Sequence, residues 1–317
     1  MGRYIIRRLL QSLLLIVLVT AIAFSLMHLA PGGPLAVYTM NPTLRAEDIA
    51  RIEKNFGLDR PIYVQYAKWA SGMLKGDWGR SFRDSQPVTR IISSRMLATF
   101  ELAGTALAFA IIVGVVLGTI GAVKQYSIAD YLSTIGAMLA LSIPTFWFGL
   151  MAIYLFSVKL GWLPSGGRQT LGEDFSLIDR LEHLVLPAAV LGFVLVATWS
   201  RYTRASMLEV INQDYIRVAR AKGLDERGVV LGHALRNALG PLVILAGIQI
   251  PLVFGGALVT ESVFTWPGMG RLFVDSLNYR DYPVMMGILF ITAVLVVFFN
   301  LVADVIAALI DPRIRLH

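Results

Sequence analysis

The sequence predicts an all-α integral membrane protein with six transmembrane helices, and three observations carry that prediction. Of 317 residues, 56% are hydrophobic and only 15% charged, against about 25% charged in an ordinary soluble domain. Six apolar runs recur at near-spanning length, a bilayer crossing taking about 20 residues. Within the short loops, leaving aside the 10 basic residues of 31–95, lysine and arginine also concentrate on alternate connections between those runs, as they do where basic residues are held on the cytoplasmic side.

In chain order, residues 1–8 are short and basic (Arg3, Arg7, Arg8), and residues 9–30 follow without a charge. A signal peptide has an apolar core of only about 7–15 residues, so residues 1–30 read as a cytoplasmic N-terminus with a retained first span. Residues 31–95 are polar, with turn signals at Pro31, Gly32, Gly33 and Pro34. Ala46, Ile49, Ile52 and Phe56 are spaced for one helical face, as are Ile62, Tyr66, Trp69 and Met73. This segment reads as a small extracytoplasmic domain. Residues 96–317 then form a five-helix core. Its spans fall at 102–123, 131–158 (with Pro144 expected to kink the helix), 184–200, 238–260 and 283–303, the last continuing to 310.

Orientation follows from the short loops. Arg3, Arg7, Arg8, Lys124, Arg201, Arg204, Arg217, Arg220, Lys222, Arg227, Arg236, Arg313 and Arg315 fall on one side, and Lys159, Arg168, Arg180, Arg271 and Arg280 on the other. The first side is cytoplasmic by the positive-inside rule, and six spans put both termini there. The net charge of +7 fits basic residues near anionic lipid. No basic patch is interleaved with base-stacking aromatics, so nucleic acid is not a partner. Cysteine is absent, which excludes disulfides, thiolate metal sites and thiol catalysis. His28, His183, His233 and His317 lack metal-ligand spacing, and no phosphate-binding Gly-rich Lys-Ser/Thr loop occurs. Neither a bound cofactor nor a catalytic site is expected, and any ATP hydrolysis belongs to another chain.

The most informative stretch lies within the cytoplasmic loop 201–240 and reads DYIRVARAKGLDERGVVLGHALRNALGP, residues 214–241. Asp214 is placed to cap a short helix and Gly223 to end it in the left-handed conformation. Asp225 and Glu226 suit the positive end of a second helix. Two readings stand: a solvated basic loop that fixes topology, or a hairpin that docks a soluble partner. The loop 262–282 is a second irregular stretch, with one to two helical turns expected over 271–278 and Trp266 and Tyr279 suited to the headgroup region.

Polar groups near the membrane interior are few. Glu101 lies one turn before a span, and Asn300 and Asp304 share a face of the last. One acid at the bilayer centre costs about 2.5–3.5 kcal/mol. The 13 Leu, Ile, Val and Phe residues of 283–303 offer about 4–8 kcal/mol, so the last span tolerates a charged Asp304. These three residues are either pathway or gate groups or polar clasps between helices.

The motifs taken together resemble the membrane permease of binding-protein-dependent ABC importers, and within it the first permease of the dipeptide/oligopeptide/nickel group. They include FGLDRPIYVQY (56–66), GDWGRSF (76–82), TFEL (99–102), TRASMLEV (203–210), DYIRVARAKGL (214–224), HALRNAL (233–239), ESVFTWPGMGRL (261–272), RDYP (280–283) and DPRIR (311–315). The resemblance covers essentially the whole chain. It implies that the hairpin is the EAA coupling loop of that superfamily. Gly223 and Ala219 match its pattern, whereas Arg217 stands where the glutamate would be and Val218 replaces the first alanine. Asp214, Tyr215, Arg217, Ala219, Arg220, Lys222, Gly223 and Leu224 are then the residues expected to meet an ATPase. Tyr215 and Ala219 would seat apolar surface, and the basic residues would meet acidic groups.

The same resemblance implies alternating access and a set of partners. These are a second homologous permease, two cytoplasmic ATPase subunits carrying ATP and Mg, and an extracytoplasmic substrate-binding lipoprotein or periplasmic protein. Trp266, Arg271 and Arg280 are expected to face that binding protein. The location implied is a bacterial or archaeal cytoplasmic (inner) membrane. Dipeptides, longer peptides and nickel complexes remain open as cargo. A self-contained secondary transporter is the rival from another class, followed by a membrane enzyme; co-purifying ATPase chains would separate the first rival from the importer.

Overall fold

The computed structural model describes residues 2–31, 33–35, 39 and 45–310, and no strand forms among them. Gly32 and the terminal Arg313 and Arg315 lie outside the described residues. The helices in chain order are α1 (Gly2–Leu29), α2 (Ala46–Phe56), α3 (Ile62–Leu74), α4 (Val88–Val123) and α5 (Ile128–Ser142). There follow α6 (Thr145–Ala152), α7 (Leu177–Ile211), α8 (Asp214–Ala221), α9 (Arg236–Gly256), α10 (Leu258–Val263), α11 (Met269–Asn278) and α12 (Tyr282–Ile310). Wider π-type turns extend α6 over Ile153–Lys159 and lead into α9 over Gly228–Leu235. Five helical stretches among the described residues are long and apolar enough to cross a membrane.

The sixth candidate is the pair α5–α6, and here the sequence expectation is corrected. Pro144 does not kink one helix; the two halves meet at 105°. The reason lies in the residue before it. A proline ring disfavours helical geometry in its predecessor, and Ile143 is extended at φ −85 and ψ 127. Pro187, by contrast, is carried inside α7 without ending it.

Helix boundaries also run past the apolar runs. Helix α4 starts at Val88, so it passes through the expected domain edge at 95 and through Glu101. Pro87 supplies the first acceptor, to the N–H groups of Arg90 and Ile91. At 36 residues the helix is about 54 Å long, well beyond a hydrocarbon core of about 30 Å. Hydropathy registers only the apolar part of such a helix. The same holds for α7, whose 35 residues extend both ends of the expected 184–200 span.

The chain divides into two compact units. One comprises residues 1–97 with 268–297. In it Phe24 and Met27 of α1 pack with Tyr66 and Trp69 of α3 and Met285 and Met286 of α12. Val88 and Ile92 pack on Val284 and Ile288. Asp281, only 4% exposed, accepts hydrogen bonds from the Ser81 hydroxyl and the Phe82 N–H.

The other unit comprises residues 98–267 with 298–316, and its organising contact is between α4 and α7. A Cβ on Gly118 would lie 2.5 Å from the Ser200 carbonyl oxygen and 2.6 Å from Thr203 Cβ, and one on Gly114 2.4 Å from Trp199 Cβ. Membrane helices associate by packing rather than by hydrophobic exclusion, so small residues four apart let backbones approach. Helix α5 lies on the same α7, through Ala137, Ala140 and Ala197 and a Ser133–Ser200 hydroxyl pair at 3.2 Å. Trp199 Nε1 donates to Gln249 Oε1 at 2.7 Å, tying α7 to α9.

Gly118→Leu is expected to abolish accumulation of folded chain, since overpacking alone costs about 1–3 kcal/mol and the obstructing atoms here are partly backbone. Gly136→Ala, where a Cβ meets nothing within 4 Å, should leave the chain unchanged. Protease resistance and melting temperature in detergent would distinguish the two.

Candidate functional site

Helix α8 is one half of the hairpin expected from the sequence. Gln213 holds the N-cap position in extended geometry without a side-chain cap bond. The capping role expected of Asp214 is therefore corrected: it is the first helical residue, its side chain 94% exposed and 3.4 Å from Arg217. Gly223 does end the helix as expected, with φ +81 and its N–H on the Arg220 carbonyl at 2.9 Å. A Cβ there would meet nothing within 4 Å, so the left-handed backbone rather than crowding calls for glycine.

The second helix of the hairpin is capped by Asp225. Its carboxylate accepts the Gly228 N–H at 3.2 Å, and its carbonyl accepts the Val229 N–H at 3.0 Å. A Cβ on Gly228 would sit 2.7 Å from Asp225 Oδ1, so a larger residue there would have to displace the capping carboxylate. Across the bend, Arg220 donates to both carboxylate oxygens of Glu226, at 3.1 and 2.8 Å. That paired hydrogen bond is the main reason the Glu226 carboxyl is held below its ordinary range and the Arg220 guanidinium above its own.

The hairpin has an inner and an outer face. On the inner face Ile216 is fully buried and Ala219 nearly so, against Met207 of α7 and Val229, Ala234 and Ala238. Burying one such isoleucine contributes about 1.5–3 kcal/mol. The expectation that Ala219 seats a partner is corrected here, because its methyl packs inside its own chain. The outer face carries Tyr215, Val218 and Leu224, between 45% and 52% exposed. Around them Arg217 and Lys222 are exposed, and the Arg220 side chain is 40% exposed. The result is an apolar centre with a positive rim.

Elsewhere in this unit, Glu101 is paired with two arginines. Arg168 Nε donates to Oε2 at 2.8 Å and Arg180 Nη2 to Oε1. It lies in a closed charge cluster rather than alone. Asn300 is exposed and Asp304 half-buried on α12; neither belongs to that cluster. Trp266 does not face solvent as expected for a binding-protein contact. It is fully buried, because its indole N–H reaches the Ala98 carbonyl at 2.8 Å and its ring packs among Leu102 and Leu184. Arg271 is half-exposed, 3.9 Å from Asp275, and Arg280, at φ +53, donates to the Pro31 carbonyl at 2.8 Å.

Three of the buried polar contacts that sequence reasoning missed lie in this unit. Arg204 grips Asp130 with two hydrogen bonds, 2.7 and 2.9 Å, and Asp130 is 4% exposed. Thr99 donates to fully buried Glu261 at 2.7 Å. The third is the Trp199–Gln249 bond. Asp130 had a local signal, since Ser127 three residues earlier caps α5. For Arg204 and Glu261 none existed, as both stand at the charged ends of apolar runs.

With this geometry in place, likeness to known proteins is informative. A family model for the inner membrane component of binding-protein-dependent transport systems matches residues 89–316, and one for the N-terminal part of such components matches residues 1–103. The chain is 45% identical over 316 residues to the oligopeptide transport system permease protein AppB of Bacillus subtilis, covering 99% of this chain and 100% of that one. It is 37% identical over 336 residues to the dipeptide transport system permease protein DppB of Escherichia coli K12, covering 99% of each. In fold it is similar to an inward facing MetNI methionine ABC transporter, with TM-score 0.57 and 20% identity over 70% of this chain and 97% of that one. The chain therefore belongs to the family of inner membrane components of binding-protein-dependent transport systems, and it is a multi-pass permease rather than an enzyme.

Proposed function

We propose that this chain is one transmembrane half of an ATP-driven importer that carries dipeptides or oligopeptides delivered by a binding protein. The observation that carries the coupling role is the two-faced hairpin. Its outer face offers Tyr215, Val218 and Leu224 within a rim of Arg217, Arg220 and Lys222, and its inner face is rooted in the span ends through Ile216. An apolar centre with a charged rim is the general anatomy of a protein interface, and the rim sign selects an acidic groove. ATP and Mg sit on the partner ATPase chains. Gly223 sets the bend, and Asp214 holds Arg217 in the rim.

The relatives support peptidic cargo over nickel complexes: they are named for oligopeptides, dipeptides and, at 39% identity, glutathione. A binding-protein-dependent family also argues against a self-contained secondary transporter. A second permease and two ATPases complete the assembly, in a cytoplasmic membrane with the hairpin and both termini inside. Arg271 and Arg280 are the residues of the 262–282 segment that would face a binding protein. Glu101, through Arg168 and Arg180, and Asn300 with Asp304 line or gate the path.

The complex reconstituted with its ATPases and binding protein should take up labelled dipeptide or oligopeptide only with ATP; uptake at full rate without an ATPase chain would overturn the reading. Gly223→Val should lower transport-coupled ATP hydrolysis by about tenfold, since a left-handed non-glycine residue costs about 1–2 kcal/mol and 1.4 kcal/mol is tenfold. Gly223→Asn should retain most of it, because asparagine tolerates that conformation.

A further test addresses the Arg220–Glu226 pair. The folded carboxyl titrates below its unfolded value, so the pair's contribution is complete above the ordinary carboxylate range and is lost as pH falls through the depressed value. Amide exchange over residues 220–226 should be faster in Glu226→Gln than in wild type at pH 7. That difference should close as the pH is taken below about 4.

A further inference from the structure

The unit built from residues 1–97 and 268–297 contains a cavity of about 360 Å³ that the transport reading does not use. Its wall is Phe24, Met27, Trp69, Trp78 and Met286, and Lys68 and Arg80 are among its remaining lining residues. The wall is mostly aromatic and aliphatic, so water alone is a poor filling.

Two observations describe an occupant. Phe24 and Met27 belong to the last turns of α1, and Tyr282, Pro283 and Met286 to the first turns of α12. The cavity thus lies where two apolar spans end, at the depth of the headgroup boundary. Beside it on α1, Ile22, Leu26 and Leu29 are between 59% and 78% exposed, an apolar surface suited to acyl chains.

The polar groups supply the second observation. His28 and Gln65 also line the space but bond each other at 2.9 Å, and Asp77 holds the Gly79 N–H at 3.1 Å. Lys68, in contrast, forms no ion pair among the described residues, and Arg80 is engaged only with the Ser85 carbonyl. The cationic groups are the ones left over.

We propose that this cavity binds one anionic glycerophospholipid. An acyl chain lies along Phe24, Met27 and Met286, and the phosphate lies between Lys68 and Arg80. The lipid holds α3 against α1 and α12 within this unit. The inference needs only that α1 and α12 enter a bilayer, and it does not depend on the cargo.

The test is native mass spectrometry of the full chain, with the partner chains that co-purify, taken from nanodiscs of equal dioleoyl phosphatidylglycerol and dioleoyl phosphatidylcholine. Wild type should retain one phosphatidylglycerol in preference to phosphatidylcholine. Lys68→Gln, at an exposed position, should lower that retention roughly fivefold, the size expected for one basic residue facing anionic lipid. Met27→Trp, which fills the cavity, should remove it. Equal retention of the two lipids by wild type, or retention unchanged in Lys68→Gln, would overturn the proposal. So would retention unchanged in Met27→Trp, and ATP-driven peptide uptake measured on the same preparations reports separately on the transport reading.

Discussion

The burial of Ile216 and Ala219 makes the hairpin part of the membrane core rather than a loop hung from it. Helix α8 has eight residues, and an isolated helix shorter than about 12–15 residues is marginal in water. Its stability therefore comes from the apolar cluster that joins it to Met207 of α7, Ala122 of α4 and Val229, Ala234 and Ala238. Those contacts reach both turns of α8. A displacement of α8 is a displacement of that cluster, because a close-packed core transmits strain rather than absorbing it.

The cluster in turn stands on α7, which runs unbroken from Leu177 to Ile211 and receives a neighbour on three sides. Helix α4 approaches along Gly114 and Gly118, closely enough that no Cβ fits. Helix α5 is held by the Arg204–Asp130 pair, and α9 by Gln249 and by the Ser206 hydroxyl on the Ala238 carbonyl at 2.9 Å. A buried ion pair is weak evidence of net stability, since desolvation offsets much of its attraction. Its two-pronged geometry does fix register: sliding α5 by one residue along α7 would leave Asp130 buried without its guanidinium. Packing sets how close these helices come, and the polar contacts set where along one another they stop.

Much of this was legible in the sequence, and the exceptions share a cause. The apolar runs located every long helix, and glycine at 223 announced the bend because only backbone geometry was needed to read it. The ends of α4 and α7 were not legible. Hydropathy measures lipid compatibility, and Arg90, Arg95 and Arg204 lengthen helices without adding to it. The missing donor of Pro144 predicts only a kink, whereas the break follows from the constraint its ring places on Ile143. The resemblance places Trp266 and Ala219 at partner surfaces, whereas burial depends on which helix arrives opposite. Gly114 and Gly118 carry a spacing that signals close approach, but which helix they meet is a tertiary fact.

The arrangement at the hairpin bears on how a partner's movement reaches the spans. Tyr215 and Val218 are exposed while Ile216 and Ala219, their chain neighbours, are buried, so the two faces are separated only by the thickness of one helix. A groove that closes on the outer face needs no hinge inside α8 to act on the inner one. The bend beyond it is also braced: Arg220 and Glu226 bridge it, and Asp225 caps the following helix. Were the bend slack, force on α8 would be spent in rotating about Gly223. With the bend braced, the two helices would move as one body, and a displacement of α8 would pass through Met207 into α7 and through Ala234 and Ala238 into α9. The glycine thus supplies a shape and the ion pair its stiffness, which is why a residue tolerant of the left-handed backbone serves at 223 even though it adds no contact of its own.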